Sequence, residues 1–338
     1  MDVDAPMPSV KRVQELWFED GNLVIQAGNS QYRVYRGVLA ARSPVFQDML
    51  SIPQPPESEL VDGCPLVWLP DAEAEVTSFL KALFDPQFFM PFPNPTQLEI
   101  VAGCLRLSHK YEVDYLRRRA FIHLSSGYRT TLAEVDAETY CGLGSGPVPL
   151  MRSWKVPDDK TYLIAIIQLA REVESPWILP MAFYVLSAAY GNLGRIIFHG
   201  MFYNGVSASL SVLDQQSFVR GQVVQNASGA ADVLRFLFCP LDIEGCATPE
   251  KCLSLRLRAM DDSREGIRDC PSIPLDIWDE EDWQLLDGLC PACLIVLKKT
   301  HQDARQAFWD KLPEIYGLPP WEELEKLKAG AIGDNLFH

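Results

Sequence analysis

Six of the nine cysteines in this chain, Cys239, Cys246, Cys252, Cys270, Cys290 and Cys293, gather into about fifty-five of its 338 residues. A thiolate can be a nucleophile, a redox centre or a soft metal ligand. Cys290-Pro291-Ala292-Cys293 has the spacing at which two thiolates opening a helix face one tetrahedral ion, with the helix dipole favouring their anionic form. Cys246 and Cys252 supply a second pair, although the five residues between them exceed the usual two to four. The expected ligand set is Cys246, Cys252, Cys290 and Cys293 around a structural zinc, with Cys239, Cys270 and His301 as alternative fourth ligands. The competing reading is that buried cysteines serve as small apolar side chains. A thioredoxin-like redox role needs a strand leading into the helix after Cys290, and Leu286-Asp287-Gly288-Leu289 reads as helix or loop.

Other reactive residue types lack catalytic spacing. His109 and His123 lie on apolar helical stretches without acidic partners, as core or rim histidines do. Arg117-Arg118-Arg119 reads as a solvated turn, with contact to an acidic partner as the alternative. The acid-rich stretch from Asp261 to Trp283 reads as a flexible loop. Phe88, Phe89 and Phe92 in a proline-rich segment either mark a contact surface or wedge under neighbouring helices. The chain contains no Gly-rich phosphate loop, nucleophile elbow, His-Glu-x-x-His or Cys2His2 finger spacing, so no catalytic residues, no cofactor other than zinc and no small-molecule substrate are expected.

The elements that position these groups follow from periodicity. Leu23 to Ala27 and Gln31 to Gly37 broadly alternate around Gly28-Asn29-Ser30, which predicts a hairpin. Val38, Leu39, Val45, Phe46, Met49 and Leu50 recur at helical spacing, and Ser43-Pro44 can start a second helix. Thr130 to Pro157, with its glycines and prolines, reads as a linker. Beyond it, helices are predicted after Asp158-Asp159, over Trp177 to Tyr190 and over Leu210 to Phe238, with Trp309 to Trp321 as an aromatic closing segment.

The run from Asp20-Gly21-Asn22 through Tyr35-Arg36-Gly37 to Arg42-Ser43-Pro44, followed by Leu66 to Pro70 and the 98–124 hairpin, resembles a BTB/POZ domain, in the version abundant among uncharacterised fungal proteins. The resemblance covers residues 16–128 and implies a third strand at Leu66 to Pro70, a helix through Val76, Phe79, Leu80, Leu83 and Phe84, and a closing helical hairpin over Leu98 to Leu124. It implies an α+β domain, a small, mostly three-stranded sheet capped by helices, followed by a mainly α-helical C-terminal domain. Residues 1–15 are then a disordered leader, 129–157 a linker, 158–328 the helical domain with its cysteine-rich part at 239–293, and 329–338 a tail. Many BTB domains carry an Asp and a His-Arg pair at a charged dimer-face pocket. Asn22 and Tyr35-Arg36 stand there instead, which puts such a pocket in question. The candidate interaction residues are Tyr35, Arg36, Phe88, Phe89 and Phe92.

What the resemblance implies is a protein-protein interaction module, an adaptor or scaffold, with substrate adaptor for a cullin-type ubiquitin ligase as one form. The alternative is a non-enzymatic nuclear regulator recruited to chromatin through partners. A homodimer is a further implied association. Net charge of −15 opposes attraction to phosphates, so direct nucleic-acid binding is not expected. Hydrophobic content of 48% suits a folded protein, and no apolar run reaches the roughly 18 residues of a membrane span. The acidic, proline-containing first residues do not read as a signal peptide, and Asp2 does not suit myristoylation. An intracellular chain, cytoplasmic or nuclear, with unpaired cysteines is expected.

Overall fold

The computed structural model describes residues 10–52, 59–140, 152–155, 157–158, 160–188, 194–226, 230–269 and 273–333. Its first half is a curled five-stranded sheet against helices, in the order β1 (Lys11–Trp17), β2 (Leu23–Ala27), β3 (Ser30–Val34), α1 (Arg36–Arg42), α2 (Pro44–Ser51), β4 (Leu60–Val61), β5 (Cys64–Leu69), α3 (Glu73–Phe84), α4 (Leu98–Lys110) and α5 (Asp114–Ser125). The strands lie side by side as β1-β3-β2-β5-β4. β2 is buried along its whole length. Its odd positions Leu23, Ile25 and Ala27 enter the main core, whereas Gln26, on the opposite face by the two-residue period, accepts from Gln31 Nε2 at 2.7 Å.

Ser43 behaves as its position before proline suggests. Its Oγ accepts from Phe46 N at 3.0 Å, capping α2. The same hydroxyl donates to the carbonyl of Tyr111, joining α2 to the turn between α4 and α5. Phe46 is fully buried, with its ring 4.6 Å from that of Tyr111.

The second half comprises α6 (Leu132–Tyr140), α7 (Tyr162–Glu172), α8 (Leu179–Ser187), α9 (Gly194–His199), β6 (Met201–Tyr203), β7 (Val206–Ala208), α10 (Val212–Val224), α11 (Ala230–Val233), α12 (Pro249–Asp269), α13 (Pro291–Ile315) and α14 (Trp321–Ile332), with 3-10 turns at Pro176–Ile178, Leu234–Leu237, Pro274–Asp276 and Asp282–Leu286. One hydrophobic core runs from Leu16 to Ile332 and takes residues from both halves. A smaller cluster, including Phe236, Ala259, Trp278, Leu286 and Leu297, lies among α12, α13 and the adjoining turns.

Several expectations are corrected. Of the leader expected over 1–15, residues 1–9 lie outside the described residues and the rest becomes a strand from Lys11 that pairs in parallel with β3; with β1 and β4 the sheet has five strands and not the mostly three expected. Its charged residues on both sides of the chain are those of an exposed edge strand. Asp261 to Asp269 continues α12 and is not a loop; downstream, Trp278 is buried. The tail expected over 329–338 is helical through Ile332, and residues 334–338 lie outside the described residues. The stretch 129–157 holds α6 and a buried Trp154, which bridges to Thr96 in the first half; residues 141–151 and 156 lie outside the described residues. No described helix is long and apolar enough to cross a membrane.

Candidate metal centre

Two helix starts bring four cysteines together. Gly245, with φ of 78°, turns the chain into Cys246. Cys252 then sits in the opening turns of α12, its backbone N–H bonded to Thr248 O at 2.9 Å. Gly288, with φ of 97°, makes the corresponding turn ahead of Cys290, which is the N-cap of α13, and Cys293 follows in the first turn. Only glycine adopts such φ values without strain. The five-residue gap that looks too wide as a sequence spacing is taken up by the turn at Ala247 to Pro249 and the first residues of a helix.

The sulfur atoms of Cys246, Cys252, Cys290 and Cys293 all lie within 4.8 Å of one another. The Cys290 and Cys246 sulfurs are 3.7 Å apart. That matches the separation of about 3.8 Å imposed by tetrahedral geometry with sulfur bonds of about 2.3 Å. All four are free thiols, and 3.7 Å is far beyond a disulfide bond of about 2.05 Å.

The surroundings favour negative charge on two of the four sulfurs, Cys290 and Cys252. Backbone N–H groups of Cys293 and Ala247 point at Cys290 and pull its thiol down to about 6. At Cys252 burial opposes ionisation, but the Thr248 hydroxyl and the Cys290 N–H outweigh it and the thiol is lowered. Burial raises Cys293 and Cys246, with the neighbouring thiols adding to the rise at Cys293. Both helix N-termini direct their positive dipole ends at the cluster.

Arg256, one helical turn beyond Cys252 on α12, is the residue that sequence reading missed. It is 1% exposed, and its guanidinium donates to the carbonyls of Pro240 at 2.6 Å, Leu237 at 3.1 Å, and Phe236 and Leu241 at 3.3 Å. The chain before Cys246 is thus bound to the helix that carries Cys252, and a cation stands near the thiols. The i to i+4 spacing from Cys252 is the signal that could have found it.

The other sequence candidates separate. Cys239 and His301 are not in the cluster, and Cys270 lies outside the described residues. His301 is buried instead among rings, 5.0 Å from Phe236 and 5.7 Å from Trp283. His123 is a core histidine, bonded to Ser153 Oγ at 2.8 Å and Met90 O at 2.9 Å. His109 is half-buried on α4. Phe89 is 1% exposed against the His123 ring, so it is not a contact residue, while Phe88 and Phe92 are half-buried. Tyr35 donates to Asp20 and stacks on Phe18; Arg36 is exposed, donates to the Leu50 carbonyl, and its N–H is capped by Asn22 Oδ1 at 2.8 Å. The Arg117 to Arg119 run is not a solvated turn but part of α5. Arg117 pairs with Asp114, and Arg118 and Arg119 donate to the carbonyls of Ile332 and Phe89.

No protein-family model, curated protein or solved structure matches the chain. The chemistry of the four-cysteine cluster is therefore read from its own geometry.

Proposed function

We propose that the chain is a non-enzymatic interaction scaffold, BTB/POZ-like over residues 16–128, whose cysteine-rich part is clamped by one structural zinc on Cys246, Cys252, Cys290 and Cys293. The observation that carries the metal assignment is the convergence of four sulfurs within 4.8 Å from two helix starts. Four protein ligands would fill a tetrahedral shell and leave no position for substrate, which is the arrangement of structural rather than catalytic zinc. The ion would supply only cross-linking there: it would tie α12 to α13 beside a small hydrophobic cluster, where core burial alone is modest.

The scaffold reading is supported by the order hairpin, helix pair, β5, α3 and the α4–α5 hairpin, which is the order the BTB/POZ resemblance implies. Tyr35, Arg36, Phe88 and Phe92 remain candidate contact residues on that unit. Affinity purification of the full chain tests this part. Recovery of a cullin supports a ubiquitin-ligase adaptor; recovery of co-repressor subunits supports the nuclear regulator. Light scattering at micromolar concentration tests self-association, which a mass of 38.0 kDa alone would contradict.

A further inference from the structure

A groove of about 760 Å3 runs along α13, with α10 on one side and α11 and the turn at Leu234–Leu237 on the other. Its floor is one helical stripe of α13, in which Ala304, Ala307, Phe308 and Ile315 recur as i, i+3, i+4 and i+11, and Val224 joins them from α10. Three cations line the same groove: Arg220 of α10, Arg235 of the turn and Lys311 of α13. All three are exposed, and none makes an ion pair or a side-chain hydrogen bond among the described residues. Asp232 and Glu314 also line it but pair with none of them, so positive charge prevails there.

The α10 wall departs from the rest of this acidic chain. Acids make up 45 of the 338 residues, yet from Ser175 to Ala231 the only one is Asp214, which is 3% exposed and paired with Arg171 at 2.7 Å. The outer face of α10 instead carries Val212, Val219 and Val223, which are 67%, 45% and 61% exposed, and its one charge is Arg220. Branching at Cβ restricts valine in a helix, so three solvent-facing valines gain nothing from local structure. Apolar surface stripped of charge is the composition of an interface core.

Charge and shape name the occupant. Net charge is −15, so an acid-free apolar wall beside unneutralised cations complements a partner that is itself anionic, and a basic partner would be drawn to the rest of the surface. From Ala304 to Ile315 the stripe is about 16 Å long, or three turns; a helix of that length and about 10 Å diameter occupies roughly 1,250 Å3, so the groove takes about half of its girth. We propose that the groove is the docking site for an acidic amphipathic helix of a partner protein, its apolar stripe on α13 and Val224 and its carboxylates on Arg220, Arg235 and Lys311. The site takes from the scaffold reading only that the partner is a protein, and it depends on neither the zinc nor the BTB/POZ resemblance.

Fluorescence anisotropy of the full chain with a labelled helix of about fifteen residues, built of leucine, alanine and glutamate with the leucines on one face, tests it. This peptide should bind about ten-fold more tightly than one of the same composition with its leucines scattered around the helix, and than one with lysine for every glutamate. Raising salt should weaken it. The double variant Arg235→Glu, Lys311→Glu, altered only at exposed sites, should lose about ten-fold in affinity or more, and Ala307→Trp, which fills the floor, should lose severalfold, both with unchanged circular dichroism spectra. Equal binding of the scattered peptide or of the lysine peptide, full affinity in the charge-reversed variant, or no binding of the acidic peptide at millimolar concentration would overturn the proposal. So would a dimer in light scattering that Val223→Glu returns to monomer, since a second copy would then cover this face. Failure on these counts leaves the scaffold reading standing, because a partner recovered by affinity purification that does not use the groove is still recovered by the charge-reversed variant.

Discussion

Arg118 on α5 donates from Nε and Nη2 to the carbonyl of Ile332, at 3.3 and 2.9 Å, so the sheet-bearing half holds the last turn of α14. Lys328 Nζ adds a bond to Thr130 Oγ1 at 2.9 Å. Leu324 and Ile332 of the same helix belong to the main core.

Arg118→Met should therefore lower stability by about 1 kcal/mol, the ordinary net value of such bonds at a partly exposed site. Deleting α14 should cost more, because two core side chains go with it. Urea denaturation followed at the N-terminal half checks both; an unchanged midpoint for the deletion would show that α14 is only appended.

Phe46→Ala should cost about 3 to 5 kcal/mol, the range for truncating a large buried aromatic. Phe46 is fully buried and its ring packs on both Tyr111 and Phe79. A loss under about 1 kcal/mol in chemical denaturation would remove it from the core.

Much of this packing was legible. The β2–β3 hairpin, the Ser43 cap and the Phe46 face follow from alternation, a turn signal and Ser-Pro spacing. β1 was not, because Lys11, Arg12 and Glu15 mask the two apolar residues, Val13 and Leu16, that it turns to the core, and its place in the sheet is set by parallel pairing with β3. The β6–β7 hairpin carried a strong signal, Asn204-Gly205, that was hidden by reading the second half as mainly helical. At the cysteine cluster, the four residues that converge were readable as residue types. Arg256 was missed: its spacing four residues past Cys252 puts it on that cysteine's face, but one of several arginines in a charged helix looks solvated until the fold brings the Pro240 and Leu237 carbonyls to it.

Arg256→Met should leave those carbonyls without their donor. Each buried polar group so orphaned costs about 1 to 3 kcal/mol, shared here among partners that water can partly reach. The cysteine-rich part should lose stability while the first half is unaffected; amide hydrogen exchange along α12, compared with that of residues 16–128, reports the difference. A variant whose α12 exchanges as it does in the unmodified protein would contradict the role given to Arg256.

His301 sets a pH dependence. Its folded value is lowered from 6.5 to about 4, first by burial and then by Arg305, with Asp136 opposing. The unfolded chain therefore takes up the proton first as pH falls. Its contribution to stability is complete above 6.5 and is lost as pH falls towards about 4, up to about 3 kcal/mol in all. Denaturation midpoints at pH 7, 6 and 5 should decline, and His301→Gln should flatten that decline. An identical slope in the variant would assign the acid sensitivity elsewhere.

Native mass spectrometry of the full chain tests the zinc assignment most directly. One zinc per chain should be present, should be absent from a Cys290→Ser, Cys293→Ser double variant, and should be removable by chelation with loosening of α12 and α13 but not of residues 16–128. A fully folded chain at its metal-free mass, with stability indifferent to chelator, would contradict the assignment and leave Cys246, Cys252, Cys290 and Cys293 as packing residues.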